Sequence, residues 1–388
     1  MDWTSHHMER IPPSGTLKMF EIASRLEAQG KTIHHFEVGQ PDFPTPAYIV
    51  EAAKTALNKG LTRYTSSRGI PQLLDAIQNH YAIRNIQING RTDVIVTPGA
   101  KMALFKGFLS TLDAGDDVLL LSPAWPTYRV LIRIAGGKPK DVSTKPGYEL
   151  DEEVIKRSVN KTVSAIIINS PNNPSGGVLT KDQMKFIRDL ATDHDFVIFS
   201  DEIYESLVYD GFKQSSMLEV DPAMEHTLVI NGFSKSHSMT GWRLGYAIGN
   251  PETIENMVRI QQNTTSCATS FVQYAGAVAL EGDQSHIAEM RKAYESRRND
   301  MVERFRHMDD VECGMPKGAF YVFPDFGAYC LSSSTLAELL LMKTGVSTAP
   351  GSAFGKSYDN HLRFSYATSQ ETIEQGLDSL ASFLPSLR

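Results

Sequence analysis

Residues 196–204 read Phe196-Val197-Ile198-Phe199-Ser200-Asp201-Glu202-Ile203-Tyr204. The first five form an apolar run without polar alternation, the pattern of a strand buried on both faces. A carboxylate follows at once, and a carboxylate at a buried strand end needs a cationic partner. Similar runs at Asp93–Thr97, Asp117–Leu121, Ala165–Asn169, Thr227–Asn231 and Leu244–Ile248 are rich in Val, Ile and Leu. Helical patterns such as Ala100–Leu112 and Thr180–Asp193 lie between them. This alternation predicts an α/β fold, a mostly parallel sheet flanked by helices. Beyond about residue 280 the pattern changes to a long polar helix (Ser285–His307), short strands around Gly318–Phe323 and His361–Tyr366, and an amphipathic helix, Gln370–Leu384. The expected division is a large domain over 46–280 and a smaller α+β domain over 281–388. Residues 1–45 are expected to be an arm that runs to the small domain or to a neighbouring subunit.

Composition narrows the function classes. The 388 residues are 41% hydrophobic and 21% charged, an ordinary soluble globular balance. A net charge of −7 offers no bulk attraction to nucleic acid or to an anionic membrane. No apolar run approaches the ~20 residues that span a bilayer. Met1–Arg10 is polar and lacks the apolar core of a secretory signal. His6 and His7 read as part of a disordered polar start rather than a metal site or tag remnant. Cys267, Cys313 and Cys330 show no CxxC spacing, which favours reduced thiols and a cytoplasmic setting. His34-His35 and His237 have no acidic partners at metal-ligand spacing.

Ligands of open parallel sheets bind beyond the carboxyl ends of the strands, and each chemical motif here follows an expected strand. In Thr97-Pro98-Gly99-Ala100-Lys101, small residues and a helix N-terminus suit an anion, although a Gly after a strand also marks a plain tight turn. In Ser122-Pro123-Ala124-Trp125-Pro126-Thr127-Tyr128, prolines present an aromatic ring rigidly; an ordinary core Trp is the other reading. Asn169-Ser170-Pro171-Asn172-Asn173-Pro174-Ser175-Gly176 holds an Asn-Pro turn. Asp201 is a candidate for a buried ion pair or for a helix N-cap. Lys235, in Asn231-Gly232-Phe233-Ser234-Lys235-Ser236-His237-Ser238-Met239-Thr240-Gly241-Trp242-Arg243-Leu244-Gly245-Tyr246, follows an apolar run that desolvates it. Desolvation favours the neutral amine, the form that attacks a carbonyl. Arg243 adds a cationic fork suited to phosphate. Together they suggest a lysine that forms a Schiff base with a phosphorylated aldehyde, against the alternative of a solvated lysine near a surface helix. Arg363, in His361-Leu362-Arg363-Phe364-Ser365, stands between apolar neighbours, where an arginine is costly unless paired.

The segment 231–246 resembles the lysine signature of class I/II aminotransferases, enzymes that depend on pyridoxal 5'-phosphate (PLP). The order Asn173, Asp201, Tyr204, Lys235, Arg243 matches that family, and the resemblance runs from about Gly39 to Arg363. It implies the PLP-dependent transferase fold type I. It implies that Lys235 holds PLP and then serves as general base and acid, and that Asp201 pairs with the pyridinium nitrogen. Asn173 and Tyr204 would meet the phenolic oxygen, and Trp125 would stack on the ring. The phosphate would be held by Gly99, Ala100, Lys101 and Arg243, with Tyr64 reaching in from the neighbouring subunit of a homodimer. Many relatives carry a serine three residues before the lysine; Gly232 stands there, and Ser234 is expected to substitute. Arg363 and Gly39 would hold the substrate α-carboxylate, beside Trp125 and Asn173.

The implied reaction is a ping-pong transfer from an L-amino acid to a 2-oxo acid such as 2-oxoglutarate. Aspartate is the favoured donor, with aromatic or neutral amino acids as possibilities. Side-chain specificity is assigned to the loop near Gly15, the helix at Lys101–Leu109 and Phe320-Tyr321, and no second arginine is placed against a side-chain carboxylate. Two rivals share the scaffold: a PLP-dependent C–S β-lyase, and a non-catalytic PLP-sensing regulator. Such regulators carry a helix-turn-helix, and this sequence shows no such domain or basic stretch.

Overall fold

All six apolar runs are strands in the computed structural model, which describes residues 3, 5, 8, 9, 11 and 15–387. His6 and His7, with most of the polar stretch 1–10, lie outside the described residues. In chain order the first strands are β1 (His34–His35), β2 (Val94–Thr97), β3 (Asp117–Ser122), β4 (Lys138–Ser143), β5 (Val163–Asn169), β6 (Val197–Asp201), β7 (Thr227–Gly232) and β8 (Gly245–Ile248). Seven of them form one sheet in the order β2-β8-β7-β6-β5-β3-β4. The pairs β3/β4, β3/β5, β5/β6 and β6/β7 are parallel, whereas β8 runs antiparallel to both β2 and β7.

The sheet is buried on both faces because side chains alternate along each strand. Ile166 and Ile168 of β5 join one core with Ile198, while Ala165 and Ile167 join the opposite core with Phe199. Burying a side chain of the size of Ile or Phe contributes roughly 1.5–3 kcal/mol, so this double-faced packing explains the uninterrupted apolar runs. Strand β4 was invisible to the pattern because its residues Lys138, Lys140 and Asp141 are solvent-facing at the sheet edge.

The first five helices are α1 (Gly15–Ala28), α2 (Ala47–Asn58), α3 (Pro71–Ala82), α4 (Ala100–Thr111) and α5 (Pro126–Ile134). Phe108 of α4 packs on Phe199 of β6 with ring centroids 4.5 Å apart. Thr180 and Gln183 form a capping box at the next long helix, Lys181–His194.

The C-terminal part is built on short strands, β9 (Tyr321–Val322), β10 (Val346–Ser347), β11 (Ala349–Pro350) and β12 (Leu362–Ser365). The order β11-β12-β9 is antiparallel, and β1 pairs in parallel with β10. Met19, Ala23 and Phe36 share a core with Tyr294, Phe305 and Phe364. The N-terminal segment thus packs on the C-terminal part of its own chain. Around Gly15, expected as a loop, the chain is already helical as α1. Among the described residues no helix is long and apolar enough to cross a membrane.

Candidate active site

The antiparallel β8 decides where chemistry collects. Its amino end lies beside the carboxyl ends of β2 and β7, with Gly245 paired to both Thr97 and Gly232. The turns after β2, β3, β5, β6 and β7, and the turn before β8, therefore open on one edge. A cavity of about 560 Å³ sits there. Its wall includes Gly39, Ala100, Lys101, Trp125, Asn173, Asp201, Tyr204, Ser234, Lys235, Arg243 and Arg363.

After β2, Gly99 has φ +84°, and a Cβ there would stand 2.5 Å from an Arg243 guanidinium nitrogen. Only glycine meets both demands. Helix α4 begins one residue later, so its free amides open onto the cavity where Ala100 and Lys101 line it. Burial, then the like charge of Arg243, lowers the Lys101 pKa.

After β3, Trp125 precedes α5 and is half-buried on the cavity wall, not in the core. Lys101 Nζ lies 5.1 Å from its ring. Tyr128, one helical turn on, meets Trp125 edge-on at 5.4 Å and donates to Asp201 Oδ2 at 2.6 Å. Sequence reasoning passed over Tyr128 as a site residue. The signal was present: Pro126 opens a helix, and residues three apart then share a face.

After β5, Asn169 Oδ1 accepts the Asn173 amide at 2.8 Å, and Asn173 Oδ1 accepts Arg363 Nη1 at 2.9 Å. The side-chain amide nitrogen of Asn173 is left as its donating end.

At the end of β6, Asp201 is 4% exposed. Its Oδ1 accepts the Ile203 amide at 3.2 Å, yet a turn rather than a helix follows, so capping does not explain it. Burial raises its pKa to about 6, against the pull of the Tyr128 hydrogen bond and the Lys235 charge. Tyr204, also buried, shares a 2.8 Å hydrogen bond with Tyr321.

After β7, a side chain at Gly232 would place Cβ 2.8 Å from Gly245 Cα. The β7–β8 contact leaves no room for a serine, whereas buried Ser234 lines the cavity. Lys235 Nζ donates to the Gly39 carbonyl at 2.5 Å and lies 5.8 Å from the Tyr204 ring. Burial, then the like charges of Arg363 and Arg243, lowers its pKa to about 7. Arg243 has φ +54°, a conformation that costs a non-glycine residue roughly 1–2 kcal/mol. Such strain concentrates at functional sites.

Arg363 on β12 is 3% exposed, with Nη2 donating to the Glu37 carbonyl at 2.6 Å and the guanidinium carbon 4.5 Å from the Tyr321 ring centre. Its Nε is buried without a partner. Among the described residues, none of Lys101, Lys235, Arg243 and Arg363 is in an ion pair. The cavity thus holds excess positive charge, and of the two buried acidic residues on its wall Glu37 is engaged by His35 while Asp201 has no cationic partner among the described residues. Tyr64 is elsewhere: it is 87% exposed and does not line the cavity of its own chain.

The profile of aminotransferase class I and II matches residues 31–380. The chain is 39% identical to aromatic-amino-acid aminotransferase 2 of Thermococcus litoralis and 38% identical to the aspartate aminotransferase of Pyrococcus abyssi. Each match covers 98% of both chains. The aspartate aminotransferase from Thermus thermophilus, solved with maleate, superposes with a TM-score of 0.94 at 37% identity, covering 99% of this chain and 100% of that one. The cationic cavity at the sheet edge, the α/β scaffold and these full-length matches agree: the chain belongs to the class I and II aminotransferases, enzymes that transfer amino groups.

Proposed function

We propose that the cavity binds pyridoxal 5'-phosphate and that the protein moves the α-amino group of an L-amino acid, aspartate first, to a 2-oxo acid such as 2-oxoglutarate. One observation carries this reading: a single cavity is lined by four cations without carboxylate partners and by Asp201, a buried carboxylate without a cationic partner among the described residues. A phosphate and a substrate carboxylate would balance the cations, and a protonated ring nitrogen would balance Asp201. When bound, the cofactor supplies a reactive aldehyde carbon and a ring that withdraws electrons from the substrate α-carbon.

The residues divide the work. Asp201, oriented by Tyr128, keeps the ring nitrogen protonated. The Asn173 amide and the Tyr204 hydroxyl donate toward the phenolic oxygen, and Trp125 packs on the ring face. Arg243, Ser234 and the amides of Gly99, Ala100 and Lys101 hold the phosphate. Arg363, aided by the Gly39 main chain, clamps the α-carboxylate. Lys235 would hold the cofactor covalently at rest; once free, its Nζ would take the α-proton from the substrate and deliver it to the cofactor's aldehyde-derived carbon. We assign residues 46–280 to the cofactor-binding domain and 281–388, joined by the first 45, to the smaller one. The exposed Tyr64 suits a phosphate contact in a second copy, so the proposed working form is a cytoplasmic homodimer.

Two substitutions test the assignments. Gly99→Ala strains φ and displaces Arg243, so PLP affinity is expected to fall about tenfold, for a backbone cost near 1–2 kcal/mol. Equilibrium titration measures this, and unchanged affinity removes Arg243 from the phosphate site. Lys101, rather than a second arginine, is the cation on the wall that would meet a side-chain carboxylate. Relatives named as aspartate aminotransferases, together with Lys101 on the wall, support a side-chain carboxylate. In Lys101→Met, kcat/KM for aspartate is expected to fall about 10–100-fold, the size of a charge-assisted contact, with aromatic donors little changed. Equal losses for both donors would move Lys101 to cofactor binding.

A further inference from the structure

A line of polar contacts runs from α1 to Arg363 through two residues that meet no expected substrate atom. Glu27 of α1 reaches His35 Nε2 at 3.1 Å. His35 Nδ1 bonds Glu37 Oε1 at 2.7 Å. The Glu37 carbonyl accepts Arg363 Nη2 at 2.6 Å, and Arg363 Nη1 donates to Asn173. Helix α1 also places Phe20 on the cavity wall, 6.3 Å between ring centroids from His35. The line therefore joins the cavity mouth to the buried arginine.

Two groups on this line are unsatisfied. The Glu37 side chain is 1% exposed, and its second oxygen, Oε2, is buried without a partner. Arg363 Nε is the matching orphan donor. An orphaned buried polar atom is costly, so a shift that joins the two is favourable. The two residues already touch through the Glu37 main chain. A guanidinium has five N–H donors in a fixed fork. Asn173 and the Glu37 carbonyl take one each; with Nε on Glu37, one N–H on each terminal nitrogen remains to grip a carboxylate. Hydrogen bonding to Glu37 raises the His35 pKa to about 9, so a cation at neutral pH balances the buried Glu37 charge.

We propose that Glu37, held by His35, is a positioning residue for Arg363: its carbonyl orients the guanidinium, and its free carboxylate oxygen takes Nε when a substrate carboxylate fills the fork. This rests on Arg363 being the α-carboxylate clamp. A purely structural role, pinning β1 to α1, would leave carboxylate recognition unaffected.

The test uses the PLP-loaded enzyme and the variants Glu37→Ala, Glu37→Gln, His35→Gln and Arg363→Lys. Three quantities are measured: the dissociation constant of maleate, a dicarboxylate without an amino group; KM and kcat for aspartate; and the single-turnover rate with a primary amine lacking an α-carboxylate. Glu37→Ala is expected to weaken maleate and raise KM about tenfold, the scale of a misplaced binding group, with kcat within about threefold. Glu37→Gln recovers part of the loss, His35→Gln moves the same way, and the amine rate stays unchanged. Wild-type maleate binding by Glu37→Ala, or an equal loss with the carboxylate-free amine, overturns the proposal. If Glu37→Ala does not fold, Glu37→Gln and His35→Gln decide by the same criteria. If Arg363→Lys loses maleate while the Glu37 and His35 variants do not, the positioning role alone fails. If Arg363→Lys also binds normally, the clamp reading fails.

Discussion

Replacing Lys235 with alanine abolishes steady-state transamination, an expected loss of at least about 10⁴-fold, the upper range for a single acid–base group. Nothing else on the wall can take over. Lys101 is the other lysine lining the cavity, and it stands by Trp125 rather than against Gly39 and Tyr204. The amine is also set apart by its electrostatics. An ordinary lysine is charged until pH ~10.4, but burial and the charges of Arg363 and Arg243 bring Lys235 to about 7. Below that pH the amine is protonated and inert; above it the lone pair is free. In the cofactor-free protein, the rate of Lys235 modification by an aldehyde should therefore rise through pH 7. A midpoint near 10, or measurable turnover by Lys235→Ala, would remove Lys235 from its role.

Asp201→Asn should cost on the order of 10²–10⁴ in kcat/KM, the equivalent of 3–5 kcal/mol for one partner lost from a buried ion pair. The same change should stabilise the cofactor-free protein at neutral pH. Burial raises the carboxyl to about 6 from an ordinary value of 3.8. Below pH 4 it is neutral in both folded and unfolded chains and carries no penalty. Between 4 and 6 the unfolded chain ionises first, which favours unfolding, and above 6 the penalty is complete. The gap of about two pKa units corresponds to roughly 3 kcal/mol at most. Melting curves of wild type and variant should thus coincide near pH 4 and diverge by pH 7, with the variant higher. Adding PLP should erase the wild-type deficit, because the ring nitrogen supplies the missing cation. A variant less stable at pH 7 without cofactor would assign Asp201 a structural role.

Such opposition between stability and activity is what a binding site built from unpaired charges produces. Arg363, Lys235 and Asp201 each lie in a position where burial penalises the charged form or leaves a donor unsatisfied. The protein core offsets this cost elsewhere, in the two apolar layers on either face of the large sheet.

The sheet was legible because β5, β6 and β7 are buried on both sides, and burial on both sides leaves a run of apolar residues in the chain. The same physics hid β4, whose exposed edge residues carry no such signature. The placement of Asn173, Asp201, Tyr204 and Lys235 was legible because each follows the carboxyl end of a strand, where the shared direction of parallel strands brings it to one edge. Tyr128 and Glu37 were not. Their importance comes from hydrogen bonds to Asp201, 73 positions away, and to Arg363, 326 positions away; local pattern could put Tyr128 on the face of Trp125 but names neither partner.

The sequence by itself determined the fold class, the strand-end placement of the motifs and the desolvated position of Lys235, since these depend on burial period and near neighbours. Only the tertiary structure decided that β8 runs backward to deliver Arg243, that Gly232 excludes a serine and that Tyr128 orients Asp201. It alone left Arg363 Nε and Glu37 Oε2 as matching orphans. Direction of pairing, close approach of backbones and unsatisfied donors are properties of residues distant in the chain. They come into existence only when the two layers and the small sheets close around the cavity.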